Sequence, residues 1–208
     1  MLWALCYFVM KVVFLDRDGV INTFPGNGLY VTRARNFHFL PGALEGLRLL
    51  TEAGYRIFVI SNQAGVGKGV YTREHLEEIT QKMLKGVTAA GAQLTGVFYC
   101  TCRSSDGCNC RKPRVGNIEK ALKMIGGSLK DAPQTYFVGD TEIDIKAGKN
   151  AGCRTIFSLS GREDREYMKR WDVRPDHIVE DLYDAACLII QKNSHPVRDR
   201  RRGAQKGR

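Results

Sequence analysis

The chain has 208 residues, 43% of them hydrophobic, and a net charge of +10, enough apolar content for one domain with a real core. No apolar run approaches the roughly 20 residues of a membrane span, and the apolar N-terminus lacks the basic region of a signal peptide, so neither a membrane span nor secretion is expected and a cytoplasmic protein is. A specific nucleic-acid partner is not indicated either, because half of the charge lies in residues 194–208, where six Lys/Arg stand against one Asp.

In chain order, residues 1–9 precede Met10-Lys11-Val12-Val13-Phe14-Leu15, a natural first strand. They are expected to be a mis-assigned start, or else an extra strand or a disordered tail. Strands are predicted near 11–15, 56–60, 96–100, 135–138, 154–157 and 177–179, and helices near 42–53, 73–90, 116–125, 142–151 and 182–191. Thr72 reads as a helix N-cap, and Gly54 and Gly91 as helix stops. The alternation predicts a Rossmann-like α/β domain over 10–193, with a parallel sheet and helices on both faces. No long insertion beyond residues 23–41 separates the Asp16-Arg17-Asp18 segment from Ser61-Asn62-Gln63, so no large cap domain is expected. The loops 23–33, 64–71 and 100–110 are then left to enclose a substrate, and the site should be open. The tail 194–208 has no apolar face and is expected to be disordered. A monomer is expected.

Four motifs follow strand ends. Asp16-Arg17-Asp18-Gly19 puts two carboxylates two residues apart at the end of the first strand. One can attack as a nucleophile while the other shuttles a proton. Ser61-Asn62-Gln63 offers a hydroxyl and loop N–H groups suited to phosphate oxygens. Arg111-Lys112-Pro113 can bring an ammonium to the same phosphate. Gly139-Asp140-Thr141-Glu142-Ile143-Asp144 delivers further carboxylates, suited to Mg²⁺.

Cys100, Cys102, Cys108 and Cys110 form a C-x-C-x5-C-x-C loop. Paired thiolates at this spacing suit a tetrahedral Zn²⁺ with no open position, hence a structural ion. Two crosswise disulfides are the rival reading; with no mark of secretion, metal is favoured. Cys6, Cys153 and Cys187 read as small buried hydrophobes.

The ordered set of Asp16-x-Asp18, Ser61-Asn62-Gln63, Lys112 and Gly139-Asp140-x-x-x-Asp144 resembles the haloacid dehalogenase (HAD) superfamily over residues 11 to 190. DRDGVIN, SNQ-x-G and a cysteine loop ending in CRKP resemble one branch of it, the D-glycero-D-manno-heptose-1,7-bisphosphate 7-phosphatases and the related histidinol-phosphate phosphatases. The resemblance implies Asp16 as nucleophile, forming an aspartyl-phosphate, and Asp18 as acid and then base. It implies Mg²⁺ on Asp16, the Asp18 carbonyl and Asp140, with Asp144 behind them or reaching a water. Ser61 and Lys112 would hold the transferring phosphoryl group. Arg111 would contact a second phosphate, with Asn62, Gln63 and Lys68 as further substrate-binding candidates. Cys102 stands where the family usually has histidine, the cysteine loop is short, and Lys68 stands where arginine is common. The implied activity is removal of the 7-phosphate of D-glycero-D-manno-heptose 1,7-bisphosphate. The alternatives are a histidinol-phosphate phosphatase, a polynucleotide 3′-phosphatase, and a catalytically dead zinc-containing interaction module. Gly161-Arg162-Glu163 reads as solvated surface.

Overall fold

Successive residues of a strand point to opposite faces, and Val12–Leu15 (β1) shows the consequence. Val13 and Leu15 enter one core, Val12 and Phe14 another, and all four are fully buried. A strand buried on both faces sits inside a parallel sheet covered by helices. In this computed structural model, which describes residues 10–194, that sheet has six strands. They are β1, β2 (Arg56–Asn62), β3 (Gly96–Cys100), β4 (Tyr136–Gly139), β5 (Arg154–Ser158) and β6 (His177–Val179). Their order is β3-β2-β1-β4-β5-β6, and every pairing is parallel.

On one face lie α1 (Ala43–Glu52), α3 (Arg73–Ala89) and α7 (Leu182–Ser194). Leu47 and Leu50 of α1, Ile79 and Met83 of α3, and Leu182 and Ile189 of α7 pack against Val13, Leu15, Ile57, Val59 and Val138. On the other face α4 (Gly116–Met124) and α5 (Glu142–Ala151) cover Val12, Phe14, Phe58, Ile60 and Phe137. Two further helices are short, α2 (Ala64–Gly67), which occupies part of the loop expected at 64–71, and α6 (Arg165–Met168). Among the described residues no helix is long and apolar enough to cross a membrane.

The sheet and the helices on both faces agree with the sequence. Thr72 caps α3, its hydroxyl accepting from His75 N at 3.3 Å. Two boundaries differ. β2 runs on to Asn62, because Ser61 and Asn62 pair with Tyr99 and Cys100 of β3, so both residues sit on a strand rather than in a loop. α7 continues to Ser194, so the tail boundary expected at 194 falls on a helical residue. The expectations for residues 1–9 and for the tail beyond Ser194 lie outside the described residues.

Chain order reverses between β1 and β4, so the connections leaving them diverge. That opens a crevice at the carboxyl ends of the strands, the usual ligand position in an open α/β sheet.

Candidate active site

All four motifs meet in that crevice. β1 delivers Asp16, whose N–H donates to Val138 O at 3.0 Å and so ties it to β4. β4 delivers Asp140, and the first turn of α5 delivers Asp144. Carboxylate oxygens of Asp16, Asp140 and Asp144 lie within 4.8 Å of one another. Such a cluster needs a cation. Lys112, nearly fully buried, places Nζ 2.8 Å from Asp16 Oδ1 and 2.6 Å from Asp144 Oδ1. Asn62 holds the lysine's main chain from both sides: Lys112 N donates to Asn62 Oδ1 at 3.0 Å, and Asn62 Nδ2 donates to Lys112 O at 3.2 Å. The Lys112–Pro113 peptide is cis.

Burial dominates the titration here. It pushes the Asp16 carboxyl up to about 6 against the lowering pull of Lys112, with Asp144 adding to the rise. Burial, then Asp144 and Asp16, raise Asp140 well above the carboxylate range. For Lys112, burial opposes the charge, but Asp144 and Asp16 outweigh it and raise the ammonium above its ordinary value.

Asp140 and Asp144 differ in what remains free. Asp140 Oδ2 accepts the Arg162 N–H at 2.7 Å, while Oδ1 is buried without a hydrogen-bond partner. A Cβ on Gly19, whose φ is +90°, would stand 2.0 Å from Asp140 Oδ2, and one on Gly161 2.1 Å from it. The carboxylate is therefore wedged between two glycines. Asp144 uses both oxygens: Oδ2 accepts from Thr141 N at 3.1 Å and Thr141 Oγ1 at 2.6 Å, and Oδ1 faces Lys112. An orphaned carboxylate oxygen on Asp140 beside Asp16 fits a hard divalent cation with oxygen ligands.

Asp18 is 20% exposed and tightly held. Arg17 Nη2 donates to its two oxygens at 3.0 and 2.9 Å, Asn22 Nδ2 donates at 2.9 Å, and Gln63 Nε2 at 2.7 Å. Arg17 is fully buried, with its guanidinium over the Tyr99 ring at 5.5 Å. Tyr71 OH in turn donates to Gln63 Oε1 at 2.6 Å.

Asp16, Asp18, Ser61, Asp140 and Arg111 line one cavity of about 350 Å³, whose lip carries Phe24, Leu29 and Tyr30 from the loop after β1. The structure thus brings Asp16, Asp18, Ser61, Lys112, Asp140 and Asp144 together. It revises three substrate-binding expectations. Gln63 is 1% exposed, and both ends of its amide are engaged inside the protein, so it braces Asp18. Asn62 reaches the cavity edge, but its amide is committed to Lys112. Lys68 is exposed and donates to Tyr30 OH at 3.1 Å without lining the cavity. Two arginines were not anticipated. Arg17 is hidden in the motif it serves, and only its place between two aspartates hints at it. Arg162, expected on solvated surface, lines the cavity, because the loop after β5 folds back onto Asp140.

Cys100, Cys102, Cys108 and Cys110 are free thiols whose sulfurs lie within 4.8 Å of one another. Cys108 Sγ is 3.5 Å from Cys100 Sγ and 3.4 Å from Cys110 Sγ. Four thiolates at ~2.3 Å from one tetrahedral ion stand ~3.8 Å apart, so the cluster fits a metal. Arg111 and Lys112 follow directly on Cys110.

The chain is similar to known proteins over most of its length. Residues 109–185 match the HAD-hydrolase-like family profile. D-glycero-beta-D-manno-heptose-1,7-bisphosphate 7-phosphatase of Neisseria meningitidis is 33% identical over 192 residues, covering 91% of this chain and 100% of that protein. The Helicobacter pylori protein of the same name is 36% identical over 150 residues, covering 72% of this chain and 83% of its own. Among solved structures, D,D-heptose 1,7-bisphosphate phosphatase from B. bronchiseptica, complexed with magnesium and phosphate, superposes with a TM-score of 0.81 at 28% identity, covering 88% of this chain and 99% of that one.

Proposed function

Because the chain belongs to the D-glycero-D-manno-heptose-1,7-bisphosphate 7-phosphatase family of HAD-like hydrolases, we propose that it removes the 7-phosphate of D-glycero-D-manno-heptose 1,7-bisphosphate. The observation that carries this reading is the Asp16–Lys112 pair, whose Asp16 lines a cavity together with Asp18 and Arg111.

A carboxylate nucleophile must meet an anionic phosphoryl group, so the chemistry is chiefly charge neutralisation and positioning. Asp16 attacks phosphorus, and the bond from phosphorus to the sugar oxygen breaks. Asp18 gives its proton to the leaving oxygen, then takes one from the water that hydrolyses the aspartyl-phosphate and frees Asp16. Arg17, Asn22 and Gln63 fix the direction of Asp18 for both transfers. Lys112 and the Ser61 hydroxyl face the transferring oxygens. Asp144, doubly held by Thr141, keeps Lys112 in place. Mg²⁺ bound by Asp16, Asp140 and the Asp18 carbonyl would offset the charge between these carboxylates and the phosphate. Zn²⁺ on the four cysteines would be structural, fixing the loop that ends in Arg111 and Lys112. The reading takes the enzyme to be a cytoplasmic monomer.

The test is phosphate release from the heptose bisphosphate, histidinol phosphate and a 3′-phosphorylated oligonucleotide, with Mg²⁺ and with Asp16→Asn as control. Selective turnover of the bisphosphate that vanishes in the variant is expected. Preference for either other substrate would move the protein to a different reaction on the same catalytic atoms, and inactivity on all three would remove the assignment.

A further inference from the structure

We propose that Arg162 is a substrate-binding residue, which takes the phosphate that is not being transferred together with Arg111. The inference rests on the bisphosphatase reading and extends it to a residue outside every motif used so far.

The backbone around Arg162 is fixed to the catalytic loops. Arg162 N–H donates to Asp140 Oδ2 at 2.7 Å, and Glu163 N–H to Asp140 O at 3.3 Å. Ser160 Oγ donates to Gly19 O at 2.8 Å, which ties the same loop to the segment bearing Asp16 and Asp18. Gly161 presses against Asp140. The position of the Arg162 main chain is thus set relative to the reacting carboxylates.

Its side chain is not used in the same way. Among the described residues the guanidinium has no ion pair and no hydrogen bond. It lies over the Phe24 ring at 6.0 Å, and both residues line the cavity that holds Asp16. A guanidinium that holds no carboxylate, in a cleft already containing four acidic side chains, is suited to an anion brought from outside. Its planar donors match phosphate oxygens, and the aromatic face of Phe24 limits its rotamers at little desolvation cost.

The cations around the cleft differ in what they already hold. Lys112 is committed to Asp16 and Asp144 and so belongs to the transferred phosphate. Arg111 also lines the cavity without an ion pair, with only a long 3.5 Å contact from Nη1 to Cys102 O. Arg111 comes from the connection after β3 and Arg162 from the connection after β5, on opposite sides of β1 in the sheet. A substrate with one phosphate would leave this second cationic pair without a counter-anion. A bisphosphate uses it.

The experiment is steady-state kinetics of the full chain with Mg²⁺, comparing wild type, Arg162→Gln and Arg162→Lys on the heptose bisphosphate and on p-nitrophenyl phosphate. Arg162→Gln is expected to raise KM for the bisphosphate about tenfold or more, to reduce kcat much less, and to cost at least tenfold more on the bisphosphate than on the aryl ester. Arg162→Lys should recover part of the loss. A bisphosphate KM within twofold of wild type, or equal losses on both substrates, would overturn the proposal, since a merely structural tie to Asp140 would affect both alike. Wild-type inactivity on the heptose would instead sink the proposed function. Arg162 is then judged by inhibition of aryl phosphate hydrolysis with fructose 1,6-bisphosphate and fructose 6-phosphate. Loss of the bisphosphate's advantage in Arg162→Gln supports the proposal, and an unchanged ratio rejects it.

Discussion

Arg17 is fully buried and spends its charge on its chain neighbour, its Nη2 reaching the two carboxylate oxygens of Asp18 at 3.0 and 2.9 Å. The side chain between the two catalytic candidates therefore acts as the brace of one of them, and Gln63 and Tyr71 extend the brace.

Replacing Arg17 should cost both rate and stability. Arg17→Met leaves Asp18 to Asn22 and Gln63 alone. We expect kcat to fall about 10- to 100-fold, since small misplacements of a reacting group carry such losses. Unfolding free energy should fall by roughly 1–3 kcal/mol, less than for a fully buried pair because Asp18 retains solvent contact. Urea titration and turnover on one preparation check both numbers.

Asp144 and Asp140 should separate by function. Asp144 spends its oxygens on Thr141 and Lys112, whereas Asp140 keeps Oδ1 unpartnered. Asp144→Asn should lower kcat with little change in the Mg²⁺ concentration needed for half-maximal activity. Asp140→Asn should raise that concentration at least tenfold. Metal titration of the two variants side by side decides it, and equal metal dependence would place Asp144 among the ligands.

Without a divalent cation, stability should fall as pH rises. Burial raises the folded Asp16 carboxyl to about 6, with Asp144 adding to it and Lys112 opposing. Unfolded aspartate titrates near ~3.9. A raised carboxyl favours the protonated folded state, so its contribution is complete below about 4 and is lost as pH passes through about 6. The loss is on the order of 3 kcal/mol for Asp16, and Asp140 adds with the same sign. Thermal melts in chelator should show Asp16→Asn matching wild type near pH 4.5 and exceeding it at pH 7.5. Mg²⁺ should raise the wild-type Tm more at pH 7.5 than at pH 5. A wild-type Tm in chelator that exceeds the variant's at pH 7.5 would contradict this.

The cysteine cluster should hold one Zn²⁺ per chain and support catalysis at a distance. Cys108 Sγ lies within 3.5 Å of two other sulfurs, so Cys108→Ser should release the metal and lower Tm by several degrees. Because Lys112 follows the cluster directly, kcat should fall as well. Cys102→His should keep the ion, since imidazole is an equally good ligand. Colorimetric metal release and melting curves on the purified variants provide the readout.

Gly161 should tolerate no side chain, because a Cβ there meets Asp140 Oδ2 at 2.1 Å. Gly161→Ala should reduce activity more than tenfold by moving Asp140, whose Oδ1 is unpartnered. Metal affinity and turnover are expected to fall together.

Much of the molecule was legible in the chain itself. Apolar strands such as Val12–Leu15, ending in acidic or polar loops, and helices capped at Thr72 or stopped at Gly54 and Gly91 are local signals, and they report the parallel sheet and its functional edge. The order of Asp16, Asp18, Ser61, Lys112 and Asp140 likewise marks groups that a sheet edge can gather. Tertiary structure alone decided what each polar group spends its bonds on. Gln63 and Asn62 looked free to meet a ligand, yet long-range contacts with Asp18 and Lys112 consume their amides. Arg162 looked solvated, yet the loop after β5 folds onto Asp140 and turns it into the cleft. Residue type and spacing fix which donors and acceptors exist. Only packing between segments more than twenty positions apart, such as Arg162 against Asp140, determines which of them remain unpaired and so available to a substrate.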